Sequence, residues 1–459
     1  MRSAPDLQRS DAPGVPTPDA GAGLLRDVAE LVPHRRCITG AGLRRTLDWI
    51  GDRIPLERTE VPSGERVGDW TVPDEWTVRQ AYVELPDGSR LVDWADSALH
   101  LVQYSRPVDT EMTLGELRDR LWTRADRPDA TPYRTGYYAD DWGFCLPHER
   151  LELARAAFGD DARVRVRIDA TLAPGALSYG ECVIPGASPA EILLSAHVCH
   201  PHLANDNAAA AAVATELARR LLDGPRRRHT VRLVFAPGTI GALAWMARSP
   251  GVLPRVAGGL VLATLGDGGG LVYKRSRDGS YRMGQGCPPL AIDRAAALAL
   301  RDLGADHELR PFSPEGYDER QYGSAGARLP VGRLSRTPHG EYPEYHTSDD
   351  DLGLIRPDAL AGSLDAVQAV LDTLDADGVF QTCVPFGEPM LGRRDLYAHG
   401  DGTPSSPDEH RALLWALSAA DGEHSLADAA ELSGCSVPAL RAAADRAVAA
   451  GAIREVTDA

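Results

Sequence analysis

Residues 191–196 read Glu-Ile-Leu-Leu-Ser-Ala, a near-continuous apolar run of strand length. A run without a polar alternate face belongs to a strand covered on both sides. An Ala-rich helical stretch follows at 208–222, and a second apolar run at 230–236. Two doubly buried strands joined by a helix form a β-α-β unit. That unit demands a largely parallel sheet with helices on both faces. The alternation of strands and helices continues from about 164 to 375. The expected fold class is therefore α/β, a mixed, largely parallel sheet.

The chain has 459 residues, more than one ordinary core, so two or three domains are expected. Residues 1–21, rich in Pro, Gly and Asp, read as a disordered leader. Residues 22–60 and 146–385 form the α/β domain. Between them, 61–145 carries short alternating runs cut by Pro and Gly turns, such as Asp69-Trp70-Thr71-Val72. This texture predicts a small inserted β-rich domain. Residues 386–459 read as three short amphipathic helices, with Ser425 and Ser436 at helix starts, and suit a winged-helix-like module.

The net charge of -17 repels phosphate backbones and anionic lipid, so neither nucleic acid nor membrane is an expected partner. The C-terminal helices offer Arg441 and Arg446 but are otherwise Ala-rich. A packing or dimerisation role, and with it a homo-oligomer, fits them better than DNA binding. No run of about 18 apolar residues is present. Seven dispersed cysteines and a start without a basic and apolar leader point to the cytoplasm.

Two clusters carry chemistry. In the first, Ser195-Ala196-His197-Val198-Cys199-His200-Pro201 leads into Asn205-Asp206-Asn207. Histidines and an aspartate thus arrive where a buried strand ends, which is where open α/β sheets bind ligands. Imidazole nitrogen and carboxylate oxygen suit Zn²⁺. A packed core histidine and a helix-capping aspartate would explain one such residue, but hardly all of them. In the second, Tyr317-Asp318-Glu319 is followed by a stretch dense in His, Glu and Tyr from Pro338 to Asp350. Asp318 can supply a carboxylate, His346 an imidazole, and Asp350 a partner for the other ring nitrogen of His346. The acidic run 349–351 also reads as a plain surface loop.

These motifs, with Arg36-Cys37-Ile38-Thr39-Gly40 and Gly68-Asp69-Trp70-Thr71-Val72-Pro73, resemble a bacterial aminopeptidase-like family with an inserted domain of unknown function. That family lies in the zinc aminopeptidase clan of the bacterial leucyl aminopeptidases. The resemblance implies a zinc-exopeptidase-like fold and one zinc held by His200, Asp206, Asp318 and His346, with His197 the alternative to His200. It implies hydrolysis of an amide bond in a peptide or an aminoacylated small molecule bearing a free amine. One position departs from the clan. Gly238 stands where a glutamate would act as general base or hold a second metal. Glu341 and Glu344, nearest in sequence to His346, are the expected substitutes. The competing expectation is a catalytically weak relative that binds a ligand or partner in the same pocket.

Overall fold

The computed structural model describes residues 18–398 and 405–456. The expected leader lies outside these residues as far as position 17. Its remainder is helical, because a helix already runs over Pro18–Leu31. The described residues form two compact units, one from 18–277 and 310–364, the other from 278–309, 365–398 and 405–456.

The first unit holds seven strands of a large sheet: β1 Glu57–Pro62, β2 Ala176–Ile184, β3 Ser188–His197, β4 His229–Ala236, β5 Val256–Leu262, β6 Leu271–Lys274 and β7 Val331–Ser335. Their order is β1-β2-β4-β3-β5-β7-β6. The central four, β4-β3-β5-β7, are parallel. The flanking pairs β1 with β2, β2 with β4, and β6 with β7 are antiparallel. Residues 191–197 of β3 are buried without a break, which explains why the sequence there lacks alternation. Helix Ala210–Asp223 makes the crossover from β3 to β4, its alanines allowing close approach to the sheet.

The inserted β-rich part extends beyond the expected boundary at 145. Strands Glu75–Glu84, Arg90–Asp93 and Val108–Thr113 are completed by Arg163–Ala173 into a four-stranded antiparallel sheet. In that last strand Val164, Val166, Ile168 and Ala170 point inward, alternating with arginines and an aspartate. Period-two alternation marks a one-sided antiparallel strand, not a core strand of an α/β sheet. Nor does the insertion have a core of its own. Val83, Val166 and Ile168 belong to the same apolar cluster as Leu193, Val234 and Val261 of the large sheet.

In the second unit helices Pro407–Ser418, Leu426–Ser433 and Val437–Ala449 pack on a three-stranded antiparallel sheet of Val379–Thr382, Asp421–Ser425 and Ile453–Glu455. The winged helix thus begins at the strand near 379, not at 386. Ser425 and Ser436 each cap a helix by accepting from a backbone N–H, as their position before an apolar run predicts.

Candidate metal centre

Strand β3 ends at His197, and the chain then turns through His200 into the irregular turn Ala204–Ala209, which carries Asn205-Asp206-Asn207 ahead of helix Ala210–Asp223. Both histidines and Asp206 therefore sit at the carboxyl edge of the parallel strands. Asp206 has no exposed surface. One carboxylate oxygen lies 2.8 Å from His197 Nε2. The other lies 3.1 Å from His346 Nε2 and 4.0 Å from His200 Nε2. Three imidazoles thus converge on one buried carboxylate. Burial opposes the charge of Asp206, but the surrounding His200, His197 and His346 rings hold its carboxyl well below the usual range. Burial also pushes His200 well below an ordinary imidazole, against the pull of the Asp206 carboxylate.

The centre is braced from behind. Asp350 accepts from the backbone N–H groups of Asn205 at 2.6 Å and Asp206 at 3.1 Å, and from the Tyr342 hydroxyl. It therefore fixes the Asp206 turn, and the expected pairing with the second nitrogen of His346 is not the one it makes. The Asn207 amide nitrogen lies 3.2 Å from His197 Nδ1 and donates to the carbonyl of Leu262. The buried Arg36 donates from Nε to the His200 carbonyl at 2.6 Å. Each histidine also packs against a tyrosine: His197 against Tyr317, His200 against Tyr133, and His346 against Tyr345.

A cavity of about 230 Å³ opens on the centre, lined by His197, His200, His346, Asp318, Gly238 and the aromatic groups Tyr133, Tyr137, Tyr317, His339 and Tyr345. The inserted part contributes Tyr133 to Tyr137 and so flanks the site. Asp318 is buried, and burial pushes its carboxyl up to about 6. The Thr239 N–H donates to it at 2.6 Å. A side chain at Gly238 would start 3.6 Å from Cys199 Sγ and 3.7 Å from His197 Cβ, which is ordinary contact, so the site has room there.

Glu341 and Glu344 do not line this cavity. Glu341 forms an exposed ion pair with Arg310, and Glu344 lies 3.8 Å from Arg127. The expectation rested on an extended segment leading into His346. Instead the chain from 340 to 346 runs through turns, and His346 itself has a left-handed φ of 55°. Tyr317, which the sequence offers as a pocket-lining residue, does line the cavity. Sequence reasoning gives His339 no role; the aromatic density of 338–346 is its one visible signal.

The donor set suits a divalent metal. Imidazole nitrogens and a buried carboxylate are what Zn²⁺ binds. Among the described residues, the ligand atoms of His197, His200 and Asp206 all lie within 4.8 Å of one another.

A family model described as a domain of unknown function, DUF4910, matches residues 26–377, and a winged helix-turn-helix model matches 378–455. A Clostridium acetobutylicum protein, named for polysaccharide biosynthesis with an aminopeptidase-like domain, is 37% identical over 427 residues, 93% of this chain and 95% of its own. A solved C. acetobutylicum structure described as a peptidase superposes with a TM-score of 0.86 at 36% identity, covering 96% of this chain and 97% of its own. A zinc aminopeptidase from Bacillus subtilis shares the fold at 14% identity, with a TM-score of 0.55 over 76% of this chain and 94% of its own. The family model covers most of the chain, which belongs to the DUF4910 family, built on an aminopeptidase-like α/β fold with a C-terminal winged helix.

Proposed function

We propose that this protein is a zinc-dependent amide hydrolase that releases an amino acid or acyl group from a small amine-bearing substrate. One observation carries the reading: three imidazoles converge on the buried Asp206 carboxylate at the floor of a cavity. His197, His200, His346 and Asp206 would hold one zinc ion. When bound, zinc supplies a Lewis acid for the acyl carbonyl and lowers the pKa of water. Asp318 is the carboxylate left facing the cavity, and it takes the proton from the attacking water in place of Glu341 or Glu344. Tyr133, Tyr317 and Tyr345 wall the site and exclude bulk water. A cavity of about 230 Å³ admits a group the size of one residue. The relative's name ties that protein to polysaccharide biosynthesis, which favours an aminoacylated small molecule over a long peptide.

Elemental analysis and turnover of aminoacyl amides test the proposal together. About one zinc per chain is expected; less than about a tenth of an equivalent, even after adding Zn²⁺, ends the metal reading. Asp318→Asn should lose about 10²–10⁴ in turnover while keeping its zinc. Gly238 supports a second reading, a binding protein with weakened chemistry. A silent wild type whose Gly238→Glu variant turns over amides would favour it.

A further inference from the structure

Behind the cavity wall lies a buried charge cluster. Lys274 Nζ donates to Glu319 Oε1 at 2.9 Å, and Arg333 Nη1 lies 3.5 Å from the same oxygen. All three side chains are almost wholly buried. Glu319 Oε2 accepts from the backbone N–H of Tyr317 at 3.0 Å, so the cluster also fixes that wall residue. At Gly316 a Cβ would fall 2.1 Å from Glu319 and 2.8 Å from Lys274, so the wall is built around these charges.

Arg333 reaches onward. Its Nη1 lies 3.1 Å from His339 Nδ1. A guanidinium only donates, so Nδ1 accepts and the neutral ring carries its hydrogen on Nε2. His339 lines the cavity beside Tyr317, Asp318 and His346, and among the described residues no hydrogen bond uses its Nε2. Burial and the adjacent guanidinium both lower the basicity of the ring, which keeps it neutral.

We infer that His339, held as the Nε2–H tautomer by Arg333, donates a hydrogen bond to the substrate's acyl oxygen as that oxygen becomes anionic. The inference rests on the hydrolase reading above. As the oxygen of water bonds to the acyl carbon, the carbonyl π pair moves onto the acyl oxygen, and the Nε2–H of His339 donates to it without releasing its proton. On collapse the pair returns, the C–N bond breaks, and the amine leaves with the proton that Asp318 took from water. A donor aimed at charge that exists only in the transition state raises kcat and leaves KM nearly untouched. His339 is thus a catalytic residue and Arg333 a positioning residue.

Nitrogen-15 NMR of the full chain, labelled at histidine, tests the assignment without any turnover. His339→Phe identifies the signal by its loss. In metal-free wild type the ring should show the Nε2–H pattern, and Arg333→Met should give mixed tautomers. Adding the phosphonic acid analogue of leucine, a tetrahedral anion, to zinc-loaded protein should shift the Nε2–H resonance. It should bind His339→Phe at least about tenfold more weakly. With leucine p-nitroanilide, His339→Phe should lose about 10²–10³ in kcat with little change in KM, and His339→Gln, which keeps a donor, should recover part of that. An Nδ1–H pattern in wild type overturns the assignment. So does a phosphonate that leaves the resonance unmoved and binds the Phe variant equally well. If the resonance moves but wild type cleaves no amide, the donor stands and the hydrolase reading falls.

Discussion

Asp206 is surrounded rather than paired, and that decides which substitutions should matter. His197 and His346 approach opposite oxygens of its carboxylate at 2.8 and 3.1 Å, while His200 stands off at 4.0 Å. His197→Ala and His346→Ala should therefore each strip tight zinc binding, as should Asp206→Asn. His200→Ala should weaken it no more than these do. Calorimetric titration with Zn²⁺ checks the order, and a His197→Ala variant with wild-type affinity would contradict it. The resemblance favours His200 as first ligand, because the Cys-His-Pro histidine is the fixed element of that family. The stronger physical signal was position: His197 is the last residue of a buried strand, where parallel sheets place their ligands. Asp350 was legible as a partner of the site but not of the right atom. Its bonds go to backbone N–H groups of a turn whose geometry no side-chain pattern announces.

At the scale of the element, periodicity was a good guide wherever burial was two-sided or one-sided without interruption. The run at 191–196 and the helix after it declared themselves for that reason. The strand Arg163–Ala173 shows its one-sided burial by alternation but not its sheet, because a strand's partner is a long-range choice, made by a core that the insertion shares. Glu341 and Glu344 were misplaced for a related reason: the segment turns, so spacing along an extended chain did not apply. One element carries a testable pH dependence. His34 follows the first helix and pairs through Nδ1 with the Thr46 hydroxyl of helix Ala41–Gly51. Burial, then the nearby Arg36, lowers its pKa from 6.5 to about 4. The folded value lies below the unfolded one, so its contribution is fully present above pH 6.5 and is lost as pH falls toward 4. Thermal melts across that window should show wild type losing Tm faster than His34→Gln. Parallel curves would show that His34 is not among the groups that link protons to folding.

For the whole molecule, the winged helix poses the question of nucleic acid. Its third helix, Val437–Ala449, spends both arginines internally: Arg441 pairs with Glu455 and Asp445, and Arg446 donates to the carbonyl of Leu396 and to Ser405. What remains outward is largely alanine, in a chain of net charge -17. Duplex DNA should therefore not be retarded in low-salt gels at micromolar protein, where a basic recognition helix would bind; a salt-sensitive shift would assign the module a regulatory role. The insertion bears differently on the molecule. The carbonyl of His346 accepts from the N–H of Tyr133 at 2.8 Å, and Ser348 and Thr131 exchange bonds alongside. The lip of the cavity and a candidate metal ligand are thus joined by backbone. Any change that widens the entrance at 131–137 therefore also moves the backbone that carries His346.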